Sequence, residues 1–194
     1  MNLSVLQKLF SLSNLINLFI GVGINLLGLW LSYRFLLPVR LNCIGTMYAS
    51  CMFGPVGGIA AAILTTLLAS ITNRTLISYL LQTIVIGALC GKFYTNKKHE
   101  IVELIYFSFL LCITGTLLTI PCNLIFHQGH TGNRWGDALF DMMMEQHTPM
   151  LLNSILGELL VEFPEMILSV FLTAGYLHLR KRFSANDITD DKEI

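Results

Sequence analysis

The chain has 194 residues, of which 54% are hydrophobic and 12% charged, and its net charge is zero. A water-soluble domain carries about twice that charged fraction, so the composition excludes an ordinary soluble enzyme and points to a membrane as solvent. It also lacks basic clusters interleaved with exposed aromatics, which argues against a nucleic-acid partner.

The first predicted span runs from about Leu15 to Leu37. It is too long for a signal-peptide core and has no small-x-small cleavage site, so it reads as a retained span. Gly21 and Gly28, seven positions apart, give it a smooth face. Pro38, Arg40 and Asn42 form a connection. The stretch Leu41–Thr72 follows, apolar but broken by "FGPVGG". As one helix it would be about 48 Å long, against a bilayer core of about 30 Å. Pro55 removes a helix bond and Gly57-Gly58 loosens the backbone, so a turn at Gly54-Pro55 between two short spans is expected. After Asn73-Arg74 comes a short span, Leu76–Cys90, then the basic loop "GKFYTNKKHE" and a span from Ile101 to about Leu124. Residues 126–149 turn polar. The last apolar region, Met150–Leu179, is interrupted by Pro164, where a kink or a new helix start is expected. The tail "RKRFSANDITDDKEI" reads as soluble and frayed.

The positive-inside rule favours the turn. With it, Lys8, Lys92, Lys97, Lys98, Arg180, Lys181, Arg182 and Lys192 share one side, and Arg34, Arg40, Arg74 and Arg134 share the other. Without it, the Lys92–Lys98 loop and the Arg180–Arg182 cluster separate. The expected architecture is therefore an all-α six-transmembrane-helix bundle with both termini cytoplasmic and short extra helices in the outer loop between spans five and six. Residues 1–183 are expected to form one transmembrane domain and 184–194 a polar C-terminal tail. All four outer cations are arginine, whose planar fork suits carboxylates and phosphates; snorkelling of a few residues is the plainer explanation.

In "GNRWGDALFDMMMEQH", Asp137, Asp141 and Glu145 repeat every four residues, with Leu139, Phe140, Met142 and Met143 opposite. This predicts a short amphipathic helix, either a solvated surface helix or a lid in which Arg134 and Trp135 take part. In the last region Glu158, Glu162 and Glu165 fall on one helix face. Ionisable groups at membrane depth face a cavity or a partner, although an interfacial segment would let them reach water. Of the other intramembrane polar groups, Asn25, Thr46, Tyr48, Gln82 and Asn153, the best placed for ligand contact is Gln82. Gly57 with Ala61 and Gly58 with Ala62 make overlapping small-xxx-small pairs for close helix approach, within the bundle or against another subunit. The five cysteines have no paired spacing, and four of them sit in or beside apolar runs. His127 and His130 lie in a glycine-rich loop without a third clear ligand, so no metal site and no cofactor are expected. No H-E-x-x-H, G-x-S-x-G or P-loop motif is present, and no enzymatic activity is expected.

The residues "RLNCIGTMYASCMFGPVGGIAAAILTTLLASITN" resemble the substrate-binding membrane subunits, or S components, of energy-coupling factor (ECF) vitamin transporters. "NRWGDALFD" and "GELLVEFPEMILSVFLTAGYL" look similar to the outer-loop and closing motifs of one branch of them. Asn42 stands where an aspartate is common, and Glu162 and Met166 replace an aspartate and a lysine. The first span carries only glycines where such subunits commonly have A-x-x-x-A.

The resemblance implies six spans, an outward pocket for a vitamin, and docking onto a transmembrane coupling subunit driven by two ATPase subunits, as in an ABC importer. The pocket and lid candidates are Arg40, Asn42, Gln82, Arg134, Trp135, Asp137, Asp141, Glu158 and Glu162. Gly57, Gly58, Ala61 and Ala62 are the candidate partner-facing residues. The expected ligand is a vitamin or similar micronutrient, with a vitamin B6 form as first choice and cobalamin or another cofactor precursor as alternatives. The expected location is a bacterial plasma membrane. Two other readings are a membrane sensor module signalling to a kinase, and an intramembrane enzyme using His127, His130 and the glutamates.

Overall fold

The computed structural model describes residues 12–94 and 100–190, with side chains described through residue 179. The described residues are helical, with no strand. In chain order the helices are α1 (Leu12–Phe35), α2 (Ile44–Thr72), a 3-10 helix (Arg74–Tyr79), α3 (Leu80–Tyr94), α4 (Ile101–Phe126), α5 (Arg134–Glu145) and α6 (Met150–Asp190). Four helical segments, Leu12–Phe35, Ile44–Thr72, Arg74–Tyr94 and Ile101–Phe126, are long and apolar enough to cross a membrane. Lys8, Lys97, Lys98 and Lys192, which entered the charge count, lie outside the described residues.

Helix α2 is folded back on itself. Gly54 has φ 68° and ψ −159°, a conformation open essentially to glycine alone. The Nδ2 of Asn25 in α1 donates to Thr46 Oγ1 at 2.9 Å and to Thr65 Oγ1 at 3.1 Å. In a straight helix those two threonines would be about 28 Å apart. Residues 44–53 and 55–72 therefore run antiparallel, and Asn25 pins both to α1, its Oδ1 accepting from Gly45 N at 2.7 Å. Gly58 and Gly87 bring the second arm into backbone contact with α3, where an added methyl at position 87 would meet Gly58 atoms at 2.7 Å. Ser50 Oγ completes the contact by donating to Gly87 O.

The small-residue face is thus used inside the chain. Gly57 lies against Ala49 and Phe53, Gly58 against Ser50 and Gly87, and Ala61 packs with Ala49, Leu18 and Val22. All four expected partner-facing residues, Gly57, Gly58, Ala61 and Ala62, are buried. The fold-back uses the face that the spacing offers, so these residues meet their own chain.

Polar and apolar groups are arranged inside out. Phe19, Trp30, Leu117 and Ile125 are exposed, whereas Asn25, Gln82, Asn123, Glu158, Glu162 and Glu165 are buried. Such a surface suits hydrocarbon and would be a large apolar patch in water. A second core, built on Met47, Ile86, Leu111, Met166 and Val170, joins α2, α3, α4 and α6.

Helix α6 bears on two of the sequence expectations. It runs on through Pro164, so no new helix starts there, and it packs along α4. It also stays helical to Asp190, so most of the tail placed at 184–194 continues the helix.

Candidate functional site

Loop 36–43, the 3-10 helix, the 127–133 loop and α5 gather at one end of the bundle. Direct bonds show this: Asn133 Nδ2 donates to Leu37 O at 3.1 Å, and Ser78 Oγ meets His127 Nε2 at 2.9 Å. Loop 36–43 holds an unfavourable backbone, with Leu36 at φ 52° and Leu41 at φ 57°. A non-glycine residue visits that region only where its surroundings enforce it. The enforcing contacts are Trp135 Nε1 donating to Leu36 O at 2.7 Å, the Asn133 bond, and a buried carboxylate from α6. That carboxylate is Glu165, which accepts from Arg40 N and Asn42 N, each at 3.1 Å.

So held, the loop turns Arg40 inward. Its Nη1 donates to Glu158 Oε1 at 2.7 Å and Glu162 Oε2 at 3.0 Å; its Nη2 donates to Glu158 Oε2 at 3.0 Å and Thr131 O at 3.3 Å. The Arg40 side chain is 14% exposed and the two glutamates 0% and 1%. Burial opposes the charge on Arg40, but Glu158, Glu162 and Glu165 outweigh it and hold its pKa well above the ordinary guanidinium value. Asn123 Nδ2 donates to Glu158 Oε2 at 3.0 Å, and Tyr79 hydroxyl supports Asn123 Oδ1 at 2.8 Å. Gln82 Nε2 donates to Glu162 Oε1 at 2.9 Å. Gly115 makes room for this pair: a methyl there would collide with Glu162 Oε1 and stand 3.2 Å from Gln82 Nε2.

Beside this cluster is an open-mouthed cavity with about 40 Å³ of room for the centres of water-sized molecules. Arg40, Asn42, Gln82 and Glu162 line it, with Tyr33, Tyr79 and the threonines Thr65, Thr66 and Thr83. Polar groups converging on one concavity in an apolar frame are the usual form of a small-molecule site.

Of the sequence candidates, Arg40, Asn42, Gln82, Glu158 and Glu162 are brought together. The α5 residues are not. Helix α5 forms over Arg134–Glu145 with Asn133 as its N-cap, accepting from Trp135 N at 3.0 Å. It docks on α6 through Gly136, against Gly157, while buried Phe140 packs under the preceding loop at Gly129 and His130. That docking turns the acidic stripe outward. Asp141 pairs with His130 at 3.0 Å on the surface, and Arg134 is exposed. Asp137 ties down the preceding loop by accepting from Thr131 N at 2.6 Å. Trp135 clamps loop 36–43 from outside the cavity. His127 and His130 engage Ser78 and Asp141 respectively and do not face one centre.

Glu165, Asn123, Tyr79 and Thr131 belong to the site although sequence reasoning did not select them. Glu165 had a usable signal, since it shares the helix face of Glu158 and Glu162. Asn123 had one in being an amide near the end of an apolar span. No protein-family model, no curated protein and no solved structure matches the chain.

Proposed function

We propose that the chain is a non-catalytic, substrate-binding membrane subunit of the energy-coupling factor type. The observation that carries this reading is the polar cavity at one end of an apolar helical bundle, walled by Arg40, Asn42, Gln82 and Glu162. The fold-back at Gly54 supports counting α2 as two spans, which with α6 makes six and leaves both termini on the cytoplasmic side of a bacterial plasma membrane. The resemblance of the 40–73 region and of the α5 and α6 motifs supports a vitamin or related micronutrient as ligand, a vitamin B6 form being the first choice. Delivery would then need a membrane coupling subunit and two ATPase subunits.

The test is gentle-detergent purification from native membranes, followed by mass spectrometry of retained small molecules and of co-purified proteins. A retained micronutrient with an integral membrane coupling protein and two ATPases is the expected result. A kinase in their place makes the chain a sensor, and absence of both ligand and ATPases overturns the proposal.

A further inference from the structure

The charges around the cavity do not balance. Arg40 is the one cation on its wall among the described residues, and it is already occupied. Its Nη1 serves Glu158 and Glu162, and its Nη2 serves Glu158 and the Thr131 carbonyl. A guanidinium has five N–H donors, so these contacts leave it almost nothing for a bound anion. On the other side stand three carboxylates, and each of their six oxygens accepts from an N–H donor. Glu158 receives Arg40 and Asn123, Glu162 receives Arg40 and Gln82, and Glu165 receives the amides of Arg40 and Asn42. Glu162 is the carboxylate that reaches the cavity wall; Glu158 and Glu165 lie behind it. The rest of the wall includes two aromatic rings, Tyr33 and Tyr79, whose faces attract cations independently of the carboxylates. An anion entering here would meet a negative field with no free fork to hold it. A cation would meet Glu162 and the rings.

We infer that the cavity takes a ligand bearing a positive charge, a protonated amine or an aromatic cation, and rejects phosphate esters and carboxylates. Glu162 meets the ligand's charge, and Arg40 is an internal counter-ion, not an anion-binding group. This deepens the binding-subunit reading and rests on it.

The test uses the full chain in lipid nanodiscs and a matched series: benzylamine, benzyl alcohol, benzoate and phenyl phosphate, with binding followed by calorimetry. Benzylamine is expected to bind at least tenfold more tightly than benzyl alcohol, and the two anions not at all. Glu162→Gln should abolish the tenfold preference, while Glu162→Asp, which keeps the charge, should retain most of it. Tighter binding of either anion, no binding by any member, or a preference surviving in a folded Glu162→Gln protein overturns the inference. The two readings fail separately. An anionic compound retained through native purification refutes the charge selection and leaves a binding subunit standing. A benzylamine preference without any coupling partner does the reverse.

Discussion

Arg40 and Glu158, 118 positions apart in sequence, meet as a two-pronged pair, Nη1 to Oε1 at 2.7 Å and Nη2 to Oε2 at 3.0 Å. The pair joins the loop after α1 to α6 where no water bathes Glu158. Such an arrangement is far more sensitive to losing one partner than to losing both, because a lone buried charge has no compensation. Arg40→Met should therefore lower stability by about 3–5 kcal/mol. Arg40→Lys should recover only part, since an ammonium cannot reproduce the fork. Unfolding midpoints in detergent provide the measurement. A loss for Arg40→Met under about 1 kcal/mol, the size of a solvent-exposed pair, would contradict the burial.

The fold-back makes a sharp prediction at Gly54. Its φ of 68° with ψ of −159° is closed to residues with a side chain, so Gly54→Ala should cost about 1–3 kcal/mol. Gly23 sits inside α1 with nothing near its missing Cβ. There Gly23→Ala should be neutral or stabilising by up to about 1 kcal/mol. Equal effects at the two sites would show that the turn geometry at Gly54 is not required.

Asn25 satisfies three groups on α2 from one side chain: Thr46, Thr65 and the amide of Gly45. Asn25→Leu is close in volume but leaves those groups without this partner. A destabilisation of about 1–3 kcal/mol is expected. A thermal midpoint equal to wild type would remove Asn25 from its role as the pin of the hairpin.

Topology is open to a chemical test. Arg34, Arg74 and Arg134 are exposed near the cavity end, and Lys92 is exposed near the other. Single cysteines at 34, 74 and 134 should react with a membrane-impermeant maleimide added to intact cells, and a cysteine at 92 only after the cells are opened. Labelling of positions 34 and 74 from opposite faces would restore α2 as one continuous crossing.

The helical, membrane-suited character was legible in the sequence because hydropathy and charge placement are local properties. So was the break at Gly54-Pro55, where a proline beside glycines in an over-long apolar run leaves few alternatives. Glu158 and Glu162 were legible because carboxylates in an apolar helix need a reason. The role of α5 was not legible. Its acidic stripe at four-residue spacing identifies an amphipathic helix, but which face docks depended on Gly136 meeting Gly157, a contact set by distant parts of the chain. The fate of Gly57, Gly58, Ala61 and Ala62 was hidden for the same reason. Small-residue spacing says that something approaches closely, and not whether the neighbour lies thirty residues away or on another protein. Arg40 was identified as a site residue, but its partners are three carboxylates of α6, so its charge is neutralised from within.

The two arms of α2 are unequal in length. Its first arm, residues 44–53, rises about 15 Å, and its second, residues 55–72, about 27 Å. A bilayer core is about 30 Å thick, so the first arm is about half the length needed to cross it alone. The first arm therefore relies on the second arm and on α1, through the shared Asn25 amide, for its place in the bundle.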